Sequence, residues 1–104
     1  MEDERKMALN RLYVTVSTPG TAVRVSSTDL FVHDATFIAT KADGKNAGTV
    51  YVGTSDVDHS TDRQMPMSPD AVQTYHTEGK HLNLADFYID ADNSGDGICV
   101  LYRT

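Results

Sequence analysis

In successive short runs between Leu12 and Tyr102 apolar residues recur at every second position, and that period constrains the fold more than any other feature of the chain. A side-chain period of two marks a strand with one face on a core, whereas a helix repeats every 3.6 residues. In "RLYVTVST", Leu12, Val14 and Val16 share one face, and Tyr13, Thr15 and Ser17 the other. Val23 and Val25 point inward around Arg24. Leu30 and Val32 oppose Phe31 and His33, and Phe37 and Ala39 oppose Ile38 and Thr40. Near the C-terminus Phe87 and Ile89 oppose Tyr88 and Asp90. Ile98, Val100 and Tyr102 then oppose Cys99, Leu101 and Arg103.

Breaks between these runs carry turn chemistry. "TPGT" holds a Pro-Gly pair, and Asp43-Gly44 in "KADGKNAG" is a hairpin-type dipeptide. The polar run from Asp56 to Asp70, with Pro66 and Pro69, reads as a long loop, and "EGK" as the turn between "AVQTYHT" and "HLNL". "DFYIDA" and "GICVLYR" read as two strands of a hairpin joined by "DNSGD". Turn signals at roughly 8–12 residue spacing predict an all-β sandwich or barrel. The expected architecture is a single small β-sandwich, jelly-roll-like, over residues 11–104, with an N-terminal arm over residues 1–10. The arm is too short and too charged to hold a helix alone.

Composition narrows the function classes. A chain of 104 residues has room for one modest core. Its formal charge of -6 and its nine scattered Lys and Arg residues argue against a phosphate-binding surface, so nucleic acid is not an expected partner. The start, "MEDERKMALN", lacks the apolar segment of a signal peptide, and no apolar run is long enough to span a bilayer. No membrane partner is expected. The single cysteine, Cys99, lies in an apolar strand and reads as a small buried hydrophobe. Without a disulfide, the chain is expected to assemble in a reducing cytosol or to draw stability from oligomer contacts.

Several constellations invite chemistry. In "DADNSGDG", Asp90, Asp92, Ser94, Gly95 and Asp96 follow the opening of an EF-hand calcium loop. The twelfth position, where a bidentate Glu is needed, is Leu101, and the flanks alternate as strands rather than helices. A turn explains the glycines without a metal, although the three aspartates leave room for a weak cation. The four histidines, His33, His59, His76 and His81, invite comparison with the metal sites of cupin-type jelly rolls; His33, His76 and His81 are the ones that reading would use, and His76 and His81 would face each other across the "TEGK" turn. No His-x-His pair occurs. "DVDHSTDR", with His59 among aspartates, reads as a solvated acidic loop. Nucleophile elbows and phosphate loops are absent from the sequence, so nothing argues for an enzyme or for a cofactor. Tyr13, Tyr51 and Tyr88 fall on the less apolar faces of their strands and are candidate interface residues.

Three segments together carry a resemblance: Gly20 to Val23 ("GTAV"), Asn46 to Gly53 ("NAGTVYVG") and Leu84 to Tyr102 ("LADFYIDADNSGDGICVLY"). In this order and spacing the chain resembles a family of small tailed-bacteriophage virion proteins. Where that family has a Leu-x-Pro-Gly-Glu-like turn, Ser68-Pro69-Asp70 stands here. The resemblance implies a virion structural protein, foremost a capsid cement (decoration) protein that clamps neighbouring major capsid subunits on the outer shell. It also implies a homotrimer by analogy, assembled in the host cytoplasm. The docking arm would be Met1, Glu2, Asp3, Glu4, Arg5, Lys6, Met7, Ala8 and Leu9. A minor tail, head-fibre or adaptor protein of the virion is the alternative, and a small cupin-like metal-binding protein the alternative of another class.

Overall fold

A computed structural model describes residues 9–77 and 79–104. The expected arm, residues 1–10, therefore lies outside the described residues except for Leu9 and Asn10, which already belong to the first strand. Twelve strands follow in order: β1 (Leu9–Thr15), β2 (Val23–Arg24), β3 (Phe31–Val32), β4 (Asp34–Ile38), β5 (Thr40–Lys41), β6 (Gly44–Lys45), β7 (Val50–Gly53), β8 (Met65–Met67), β9 (Val72–His76), β10 (Leu82–Asn83), β11 (Tyr88–Ala91) and β12 (Gly97–Arg103). A single 3-10 turn, Leu84–Asp86, interrupts them.

Eight of these strands build two antiparallel sheets, ordered β1-β12-β4-β9 and β2-β11-β7-β8. Successive main strands alternate between the sheets except for β7 and β8, which pair with each other, and the first and last strands are neighbours. This is the strand order of a jelly roll. The short pairs β3–β10 and β5–β6 are satellites. The alternation read from the sequence holds at the core. Val16, Phe37, Ile98 and Val100 from one sheet meet Val50, Val52, Met67 and Ile89 from the other in one buried cluster. Phe37, Tyr75 and Phe87 pack ring on ring at its edge, with centroids 5.0–5.4 Å apart. Each such pair adds about 0.5–1.5 kcal/mol beyond burial.

Three local expectations are corrected. β11 and β12 do not form a hairpin. β11 pairs with β2 and β7, β12 pairs with β1 and β4, and "DNSGD" is the corner that carries the chain from one sheet to the other. The run from Asp56 to Asp70 is not all loop, because Met65–Met67 pairs with Val50–Val52. Pro66 is tolerated there because β8 is an edge strand, where one side of the backbone has no ladder partner. Likewise "TEGK" does not join a hairpin, since β9 pairs with β4 and β10 with β3.

Two bulges set the sheet corners. Val16 donates to the Asp96 carbonyl (2.9 Å) and accepts from the Gly95 N–H (2.8 Å). Ala39 stands in the same relation to Ala71 and Asp70, at 2.9 Å each way. In each bulge the first extra residue is left-handed, Gly95 at φ 93° and Asp70 at φ 69°. Glycine adopts that conformation freely and aspartate tolerates it better than most residues. The second bulge falls on Ser68-Pro69-Asp70.

Candidate functional site

The corner between β11 and β12 gathers residues far apart in sequence. Asp90, with none of its surface exposed, is the penultimate residue of β11, an inner strand of its sheet. Its carboxylate accepts hydrogen bonds from the Gly20 N–H (3.0 and 3.1 Å), the His59 N–H (2.8 Å) and His59 Nδ1 (3.0 Å). Burial alone would raise its pKa. The N–H donors of His59, Ala91 and Gly20, joined by the His59 ring, outweigh burial and hold the carboxyl below its ordinary range. The charge is thus stabilised where it sits.

Asp96, 1% exposed, does the same for another loop. It accepts from the Ala47 N–H (2.9 Å) and the Gly48 N–H (2.8 Å), with Lys41 Nζ at 3.9 Å. Beside it the buried Asn46 side chain acts as a short extra strand: its Nδ2 donates to the Gly97 carbonyl (2.8 Å), and its Oδ1 accepts from the Gly97 N–H (3.1 Å). Asp92 receives the Tyr51 hydroxyl (2.9 Å), and Ser94 Oγ donates to the Ser17 carbonyl (2.8 Å).

These carboxylates are aimed at three separate sets of donors. Asp90, Asp92 and Asp96 do not converge as a calcium loop would require. Among the described residues, the group whose ligand atoms do converge is Asp58, His59 and Asp90, all within 4.8 Å of one another. A cation there would meet the two N–H groups already bound to Asp90. Asp58 is also engaged. The Ser60 N–H and hydroxyl (2.8 Å each) lead in holding its pKa down, against burial, with help from Thr61. The three histidines of the cupin comparison do not form one ligand set. The His33 and His81 rings meet at a tilt of 43° with centroids 4.5 Å apart, while His76 Nδ1 lies 3.4 Å from Asp34. Asp34 belongs first to Arg103, whose guanidinium lowers its pKa, with a smaller contribution from His76.

The two sheets differ in what covers them. The Thr54–Gln64 segment folds back over the outer face of the second sheet. Gln64 reaches over Gly53, Arg63 lies 5.4 Å from the centroid of the Tyr51 ring, and His59 reaches Asp90. Tyr51 is consequently 1% exposed, so its ring is spent inside the domain rather than offered to a partner. Tyr88 is half-buried on the same sheet, beside Arg24 and Gly53. On the first sheet, Tyr13, Cys99, Ile38 and Val72 stand opposite one another across all four strands and form an apolar row. Tyr13 is 40% and Val72 60% exposed; Cys99 is buried. The adjacent rows are Arg11–Leu101–Thr36–Thr74 and Leu9–Arg103–Asp34–His76, so the one acid in these three rows is paired.

Sequence reasoning placed Tyr13 on an open face and missed what Asp90, Asp96, Asn46 and His59 do. Asp90 stands in a strand and Asp96 between two glycines, but the partners of these four residues lie 31 to 70 positions away. Comparison with protein-family models, curated proteins and solved structures gives no match.

Proposed function

We propose that this chain is a structural protein of a tailed-bacteriophage virion, acting as a cement protein that binds the major capsid protein on the outer shell. The observation that carries the reading is that the three resembling segments meet. Gly20 binds Asp90, Ala47 and Gly48 bind Asp96, Asn46 clasps Gly97, and Tyr51 binds Asp92. A shared signature is expected to consist of residues that hold one another, and these do. The apolar row on the first sheet supports the same reading, because cementing needs a broad face rather than reacting groups. In this role the chain binds no nucleic acid, enters no membrane and uses no cofactor. It works by burying contact area between neighbouring capsid subunits.

The test is the copy number of the chain in purified particles, by quantitative mass spectrometry against the major capsid protein. A ratio near one to one, or a simple fraction of it, is expected. A handful of copies would move the protein to the tail or portal, and absence from the particle would overturn the proposal.

A further inference from the structure

The four sheet edges are not treated alike. In the second sheet, β2 is two residues long and β8 carries Pro66, both of which blunt an edge against pairing. In the first sheet, β9 is a five-residue edge, "VQTYH", that also lacks Pro, Gly, Lys and acid, and β1 is the longer of the two. β1, at the edge of the first sheet, runs seven residues as "LNRLYVT", with neither Pro, Gly, Lys nor an acid. It is the kind of edge that proteins usually protect.

The direction of its free backbone groups follows from the register. Val16 hydrogen-bonds toward the β12 side. In an antiparallel ladder such residues alternate, so Asn10, Leu12 and Val14 also face β12. Leu9, Arg11, Tyr13 and Thr15 then turn their N–H and C=O groups to the open edge, where no partner meets them among the described residues.

We infer that this edge pairs antiparallel with β1 of a second copy, about a two-fold axis at Leu12. That register sets Leu9 opposite the partner's Thr15 and Arg11 opposite the partner's Tyr13, with both pairs repeated by symmetry. Every outward residue is then used, with two hydrogen bonds at each pair. Sliding by two residues one way sets Arg11 against Arg11; sliding the other way leaves Leu9 unpaired. Arg11 already lies 5.3 Å from the centroid of its own Tyr13 ring, and across the axis it gains a second aromatic face.

Charge is compatible with that occupant. Two copies at -6 each repel, and β1, bearing Arg11 and no acid, is an edge where they meet without bringing acids together. The result is one eight-stranded sheet with two-fold symmetry, where the resemblance implies a trimer. The inference stands apart from the proposed function, because it rests on the edge alone.

Sedimentation velocity on the full chain, from micromolar to near-millimolar concentration, tests it. A monomer–dimer equilibrium is expected. Tyr13→Lys, which leaves the core untouched, sets like charges opposite Arg11 twice and should raise the dissociation constant about tenfold or more. Hydrogen exchange on the unaltered protein gives an independent reading. The amides of Arg11, Tyr13 and Thr15 should be protected at high concentration and lose that protection on dilution. A monomer throughout, a trimer, a dimer indifferent to Tyr13→Lys, or exchange at these amides that ignores dilution would overturn it.

Discussion

Replacing Asp90 by Asn tests whether the acidic corner is structural or metal-binding, because the two readings predict opposite responses to two treatments. The carboxylate takes the Gly20 N–H, the His59 N–H and His59 Nδ1 on two oxygens. An amide of the same shape offers one oxygen and turns an NH2 group toward a donor. About two charge-assisted hydrogen bonds are lost, at roughly 1.5–3 kcal/mol each. Gly20 is exposed and His59 half-buried, so water recovers part of that. The net loss should be about 2–4 kcal/mol, or on the order of 10–20 °C in Tm for a domain of this size. Urea denaturation followed by circular dichroism reads it directly, with an unchanged m-value. Chelator should leave the unaltered protein where it is. The pH response follows from the lowered pKa: the stabilisation is complete above about pH 4 and is lost as pH falls through the still lower folded value. In Asp90→Asn that part of the acid sensitivity should vanish. A variant within 0.5 kcal/mol of the parent, or a parent that chelator destabilises as much as the substitution does, would refute the reasoning.

The remaining predictions concern the same corner, the core and the N-terminus. Gly97→Ala would drive a methyl group into the Val14 carbonyl of the neighbouring strand, and backbone cannot step aside, so a loss of about 3 kcal/mol is expected in the same denaturation assay. Asn46→Ala strips both bonds from the Gly97 backbone inside a buried site and should cost about 2–4 kcal/mol; Asn46→Asp should rescue the Gly97 N–H alone. Val100→Asp places an unpaired charge at a fully buried position and should abolish folding, seen as lost dispersion in a proton NMR spectrum. Deleting Met1 to Ala8 leaves β1 whole, so Tm should hold while occupancy on the particle falls; full occupancy would refute the anchoring arm.

How much of this was legible in the sequence depends on the range of the interaction concerned. Alternation is local, so the inward faces of β1, β4, β11 and β12 could be read directly: Val16, Phe37, Ile89 and Val100 are all buried. Strand pairing is not local. A hairpin turn and a corner between sheets need the same Asn, Ser and Gly, and nothing in "DNSGD" states that β12 will leave β11 for β1 and β4. Tyr51 shows a second limit. Its side was read correctly, but a loop beginning three residues later returns to cover it, and period says nothing about what lies above a face.

The same limit explains why a calcium motif seemed to begin at Asp90. A cation loop and this corner both need acids at alternating positions, glycine for a left-handed turn, and carboxylates turned inward. They differ in the source of positive charge. An EF-hand imports it as an ion and adds a glutamate at the twelfth position to complete the shell. Here it is supplied by backbone N–H dipoles at Gly20, Ala47, Gly48 and His59, delivered by three other segments of the chain. With donors of that kind each carboxylate is satisfied separately, so the acids have no reason to converge and no twelfth ligand is required. The corner then does what a bound metal does in a small domain, fastening loops that the core is too small to hold. It does so with residues that assemble only if both sheets are already in place, which ties the order of this end of the molecule to the integrity of the sandwich.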